Sequence, residues 1–505
     1  MHSTTRLGKV KAIATFAVAL LASTSLQAQE APVDAFFWLS EMNKASTVMV
    51  VETGIVPPEL GATIADAVAQ VIEDQSVDGA PRSGDYLQVE PLLIAIGGPD
   101  VSRMHSGRSR QDIASTSERL FQREAVLQLM EALIHTRAAM LTLAETNPNA
   151  IVPAYTVGVQ AQPITLGHYI TGYVQALDRA AERVKVLYDE VNLSPLGSAA
   201  LGTSSFPIDR ERLAELLGFG GALENSLDAN QLSRIDTGGV AVGVANSMAL
   251  TVGTLLSDIE AQYRFTSPWL ILKAGTTGTS SIMPQKRNPN SVNGVRGNAS
   301  AVLAESTAFY FGAHNTPHGL RDQGNAATET LEAATKMLAS LESLLADLEF
   351  REEIALAEVN ADYSTSTELA DVLQREADIP FRVGHHFASL LVTYGRANAF
   401  KPADLPFDEV KKIYVEAAEE YDIGDTAFPL TEQRFREALS PQGMVNASLG
   451  LGGPQPTEVA RMIADQHAGL DGDEAWLAGE RQQLSAASNS LNEAFESLRS
   501  ANSSN

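Results

Sequence analysis

The chain has 505 residues, 44% of them hydrophobic, which is enough for several domains with cores of their own. Its 62 acidic and 36 basic side chains give a formal net charge of -26, and with no concentrated basic patch this argues against nucleic acid as a partner. The absence of cysteine excludes disulfides, thiolate metal centres and a cysteine nucleophile.

Arg6, Lys9 and Lys11 precede an apolar run from Ala12 to Leu26, and Ala28 stands before the first acid, Glu30. Residues 1–28 therefore read as a secretory signal. The run is shorter than the about 20 residues of a membrane span, and no later stretch is expected to cross a bilayer. An exported, periplasmic or secreted soluble protein follows, in which a lack of thiols avoids mispairing.

The next informative segment, His105 to Asp112, reads H-S-G-R-S-R-Q-D. Two arginines and a serine beside an amide suit bidentate recognition of carboxylates, although an exposed charged turn fits equally well. Tyr155 to Pro163, Y-T-V-G-V-Q-A-Q-P, offers a hydroxyl and two amides and means little alone. Ile170, Val174, Leu177, Ala181, Val184, Tyr188 and Val191 then recur at helical spacing. Residues 239–262 are proline-free and apolar on most sides, which places them deep in a bundle or at a subunit interface.

Gly278 to Pro289 reads G-T-S-S-I-M-P-Q-K-R-N-P, an anion-facing composition. A serine acts as a base only where a cation or oriented amides stabilise its alkoxide, and Lys286 lies six residues beyond Ser280. Spacing alone favours a solvated loop with two exposed cations. Leu331, Ala334, Leu338, Leu341, Leu345 and Leu348 predict a second helical seam of the kind that packs helices nearly parallel. Gly450 to Pro456 lacks the context of a phosphate loop and reads as a turn. The tail from Ser485, rich in Ser, Asn and Ala, reads as fraying at its end. The nine histidines show no metal-ligand pattern, and no metal or organic cofactor is expected.

The three polar clusters, in this order, resemble the aspartase/fumarase (fumarate lyase) superfamily, and within it the argininosuccinate lyases. The loop at 278–289 is similar to the superfamily signature G-S-S-x-M-P-x-K-x-N-P. The first cluster is similar to H-T-G-R-S-R-N-D, and the second to Y-T-H-L-Q-R-A-Q-P. Asn192 to Ser198, Phe206 to Glu211, Asn225 to Ala229 and Ile379 to His385 add further matches. The resemblance implies an all-α subunit with a central long-helix bundle. Its domains would be an N-terminal helical domain at 29–118, the bundle at 119–358 and a C-terminal helical domain at 359–505. It also implies a homotetramer that shares each site between subunits and binds a small dicarboxylate. In the chemistry it implies, Ser280 removes a proton beside a carboxylate, Lys286 and Asn288 stabilise the resulting intermediate, and fumarate is released. Ser109, Arg110, Gln111 and Thr156 would hold the carboxylates.

The chain also departs from that pattern. Val157 stands where the lyases have the histidine that protonates the leaving group, and Asn293 stands where the glutamate orienting it is expected. Tyr155, His318 or solvent is left to supply the proton. Gln111 replaces an asparagine and Thr279 a glycine. Leu320 to Thr328 keeps neither the tyrosine, the glutamine nor the lysine that holds the citrulline side of argininosuccinate, and the D-I-H segment is unrecognisable around Asp85 to Glu90. The expected reaction is carbon-nitrogen elimination from a succinyl-type substrate other than argininosuccinate. The alternative is a homologue that binds a dicarboxylate with altered or no catalysis.

Overall fold

The apolar seams become long helices in the computed structural model, which describes residues 32–502 and the side chains of 32–500. The export signal expected at 1–28 lies outside the described residues. An N-terminal core is built from α1 (Ala35–Glu52), α2 (Pro58–Gln75) and α3 (Tyr86–Gly97), and it includes Leu39, Met49, Ile64 and Tyr86. A 3-10 turn at Pro99–His105 then leads into α4 (Arg110–Thr146), which at 37 residues runs about 55 Å.

A hairpin follows, β1 (Ile151–Thr156) paired antiparallel with β2 (Val159–Thr165). The Thr165 hydroxyl accepts from the His168 N–H at 3.2 Å and starts α5 (Leu166–Val191). The loop after α5 carries the short α6 (Arg210–Leu216), and a π turn at Asp228–Leu232 opens α7 (Ser233–Gln262). After β3 (Leu270–Leu272) come α8 (Asn290–Ala313), α9 (Ala326–Ala346) and β4 (Leu348–Phe350), which pairs with β3. Helices α4, α5, α7, α8 and α9 pack as one bundle around Leu133, Val174, Met248, Val302 and Leu338. Leu348, expected in the last helical seam, instead starts a strand, because α9 ends at Ala346.

Helix α7 is long and apolar enough to cross a membrane by length and composition, which corrects the expectation that no later stretch would be. Half of its most apolar window is buried inside the bundle. On its other side Leu250 is 63% exposed, and there is open space around Gly239, Gly243 and Gly253.

A third core lies toward the C-terminal part of the chain. It follows α10 (Glu352–Val359) and is formed by α11 (Ser366–Ala377), α12 (Phe381–Ala397), α13 (Phe407–Glu420) and α14 (Glu432–Ala438), with Phe387, Tyr414 and Phe435 at its centre. After α15 (Pro441–Ala447) and the Gly450–Pro456 turn, α16 (Pro456–Asn502) leaves this core. Its first half adds Val459, Ile463, Leu470 and Leu477 to the bundle, and its second half adds Leu491 and Phe495 to the N-terminal core. The stretch 359–505, expected as one domain, is thus divided between three cores. The tail from Ser485 is helical to Asn502, with Leu491 and Phe495 buried, and the end at which it was expected to fray, 503–505, lies outside the described residues.

Candidate functional site

The first polar cluster sits at the head of α4. Ser109 is the N-cap: its hydroxyl accepts from the Gln111 N–H at 3.2 Å, while Asp112 Oδ1 accepts from the Ser109 N–H at 2.7 Å. The other oxygen of Asp112 accepts from the N–H groups of Gly197 (2.9 Å) and Ala199 (3.2 Å), docking the loop after α5 against this helix start. Burial pushes the Asp112 carboxyl up to about 6 against those N–H donors and the Arg108 charge. Composition alone assigns Asp112 no role in the cluster. The serine-x-x-aspartate spacing of a capping box was the signal for it.

The two arginines of this cluster diverge. Arg110 is exposed, 4.0 Å from Asp85. Arg108 is buried, donates to Asn43 Oδ1 at 3.0 Å and lies over the Tyr86 ring, so it supports the N-terminal core and does not face solvent. Gln111 donates from Nε2 to the Gly319 carbonyl at 3.3 Å, while its Oε1 is buried without a partner among the described residues. His318, the residue before Gly319, is exposed at this same end of the bundle. Arg110 and Gln111 line a cavity of about 740 Å³ together with Glu118, Arg234, Arg321 and Thr328. Glu118, Arg234 and Arg321 were missed from sequence. The motif at 320–328 shows which residues are lacking there and is silent on Arg321.

The second cluster is the β1–β2 hairpin at the far end of α4. Its register pairs Thr156 with Val159, which leaves Val157 and Gly158 as a two-residue turn with φ of +53° and +75°. Thr156 is exposed and Val157 stands clear of every neighbour at 102% exposure. The Tyr155 ring packs 6.1 Å from Phe265, and burial pushes its phenol up to about 12, so it stays protonated.

The third cluster lies at this same end, beyond β3. The loop is closed by a two-way backbone bridge between Gly278 and Asn288, both hydrogen bonds being 2.8 Å, and Asn288 Nδ2 donates to the Thr279 carbonyl at 3.4 Å. Inside it, Ser280 Oγ accepts from the Met283 N–H at 3.1 Å and from the Ile282 N–H at 3.4 Å. Two amides aimed at one hydroxyl oxygen are what an alkoxide requires. Lys286 and Arg287 are exposed, and neither is in an ion pair among the described residues.

One chain therefore brings Ser280, Lys286, Asn288 and Thr156 to one end of the bundle. Ser109, Arg110 and Gln111 are at the other, separated by the length of α4.

A lyase family model matches residues 92–304, and a model of the argininosuccinate lyase C-terminal region matches 363–446. The chain is 31% identical to an argininosuccinate lyase of Methanosarcina acetivorans over 466 residues, 90% of each protein. It is 30% identical to argininosuccinate lyase 2 of Agrobacterium fabrum over 470 residues, 91% of this chain and 92% of that one. Among solved structures, EDDS lyase in complex with formate superposes with a TM-score of 0.83 at 29% identity, covering 93% of this chain and 92% of that one. A variant of EDDS lyase with bound fumarate gives 0.82 with the same identity and coverage.

Proposed function

The chain belongs to the argininosuccinate lyase family of the aspartase/fumarase superfamily and is a lyase, and from that premise we propose that it reversibly eliminates an amine from a succinyl-type substrate to give fumarate. The observation that carries the reading is Ser280, whose hydroxyl oxygen already receives two backbone N–H groups in a loop that also presents Lys286. In this reading Ser280 takes the proton beside the carboxylate. Lys286 and Asn288 stabilise the aci-carboxylate, and Ser109, Arg110, Gln111 and Thr156 hold the carboxylates. The fumarate bound to a variant of EDDS lyase supports fumarate as product. Argininosuccinate is set aside because segment 320–328 offers other groups on the leaving-group side.

The separation of the two half-sites supports a homotetramer in which different subunits supply them. Leu250, Leu303, Tyr310 and Phe311, exposed on α7 and α8, give such an assembly apolar surface to cover. Export remains part of the proposal and rests on the residue pattern of 1–28.

Val157 favours a second reading, a dicarboxylate-binding homologue with altered catalysis, since valine transfers no proton. One experiment separates the two: fumarate absorbance is followed with a panel of amines, for the wild type, Ser280→Ala and the double variant Val157→His with Asn293→Glu. Turnover by the wild type that falls by about 100-fold or more in Ser280→Ala is expected. Turnover appearing only in the double variant favours the second reading.

A further inference from the structure

A second cavity, of about 510 Å³, lies between the β1–β2 hairpin, the start of α5 and the end of α7, a size that suits a small molecule. None of Ser280, Lys286, Asn288 or Thr156 lines it, so it is separate from the proposed reaction centre. Its walls are aromatic. Tyr155 stands 6.1 Å from Phe265, Tyr169 stands 6.4 Å from Trp269, and Phe265 is left 39% exposed.

The two ends of this cavity call for opposite partners. At one end the Tyr169 and Tyr173 hydroxyls both donate to Asp258 Oδ2, at 2.9 and 3.0 Å. Burial first pushes both phenols up from their ordinary value, so they remain protonated donors. Asp258 is exposed and in no ion pair among the described residues, and Arg264, exposed on the same lining, does not pair with it. At the other end Trp269, 4% exposed, has its indole N–H buried beside the buried Tyr155 hydroxyl. The two groups lie within reach of each other but short of hydrogen-bond geometry, and neither has a partner among the described residues. A buried donor left unmet is costly, and an oxygen acceptor entering the cavity relieves that cost. Tyr169 links the two ends, its ring beside Trp269 and its hydroxyl on Asp258, so a molecule of about tyrosine size spans them.

We propose that this cavity is a binding site for a small arylalkylammonium ion that carries a ring hydroxyl. The ammonium sits on Asp258, the ring lies among Tyr155, Tyr169, Phe265 and Trp269, and the hydroxyl oxygen accepts from the Trp269 indole. A carboxylate beside aromatic faces attracts an organic cation, and the indole N–H selects the one that brings an acceptor. No bond is made or broken, and the site is independent of the elimination chemistry.

The test is calorimetry in the absence of fumarate, with tyramine, phenethylamine and 3-(4-hydroxyphenyl)propionate as probes, on the wild type, Asp258→Asn and Trp269→Phe. The wild type is expected to bind tyramine with a Kd of about 1 mM or tighter, phenethylamine about tenfold more weakly, and the propionate not measurably. Asp258→Asn is expected to weaken both amines by about tenfold or more. Trp269→Phe is expected to bring tyramine down to the affinity of phenethylamine and to leave phenethylamine where it was. Because Asp258 is exposed, its variant keeps the fold, and the test stands even if Trp269→Phe does not fold. Failure of the wild type to bind tyramine, equal binding of tyramine and the propionate, or amine affinities unmoved by Asp258→Asn overturns the site. The first of these is the result expected if another subunit fills the cavity.

Discussion

At position 157 the chain holds a valine, which transfers no proton, and this β-branched side chain lies in the left-handed region, φ +53°, where asparagine or glycine is favoured. Such a backbone costs about 1–2 kcal/mol, and with the side chain wholly exposed nothing within the subunit offsets it. A second residue with consequences is His105, stacked 4.2 Å from Tyr86, which also carries Arg108 on its ring. Burial first, and the Arg108 charge next, push His105 down to about 4. A histidine with a lowered folded pKa contributes stability above its unfolded pKa, about 6.5, and loses it as pH falls toward 4. That contribution is on the order of 3 kcal/mol. His105→Gln should therefore lose less stability than the wild type between pH 7 and 4.5 in urea unfolding. Parallel losses in the two proteins would clear His105 of any part in acid sensitivity.

Three helices are fastened by charge. Arg137 on α4 pairs with Asp178 on α5 at 2.7 Å and with Asp473 on α16, and Lys185 on α5 reaches Asp473 at 2.5 Å. Arg137 is 1% exposed, so removing one partner leaves a buried cation short of its counter-charge. Asp473→Asn is expected to lower stability by roughly 3–5 kcal/mol, seen as a lower denaturation midpoint with an unchanged slope. A change under about 1 kcal/mol would mean that Asp178 alone compensates Arg137. The helices themselves were legible in the sequence: the seam from Ile170 to Val191 falls wholly within α5, and the apolar stretch at 239–262 within α7. Periodicity shows which face of a helix is apolar but not which core will receive it, so the destination of α16 was hidden. The hairpin was hidden too, because Thr156-Val157-Gly158-Val159 has a valine where the turn residue should announce itself. The loop at 278–289 was recognisable from its motif but not the local turn that aims the Ile282 and Met283 amides at Ser280, and the glutamate shared by Arg234 and Arg321 arises only when distant segments meet.

For the whole molecule, the separation of Ser280 from Arg110 makes a prediction about mixtures. Ser280→Ala and Arg110→Ala subunits, each inactive alone, are unfolded and refolded together. If a site draws the two residues from different subunits of a homotetramer, random assembly restores about a quarter of the sites. Refolded separately, the two variants stay inactive. No recovery in the mixture would mean that both residues of a site come from one chain.

Helix α16 also dictates a schedule. The N-terminal core is finished by Leu491 and Phe495, more than four hundred residues after the helices they cover, so this core cannot close before those residues have been made. Until α16 joins them, the helices that carry Leu39 and Ile64 hold an apolar face open, and the oldest part of the chain is among the last to be sealed.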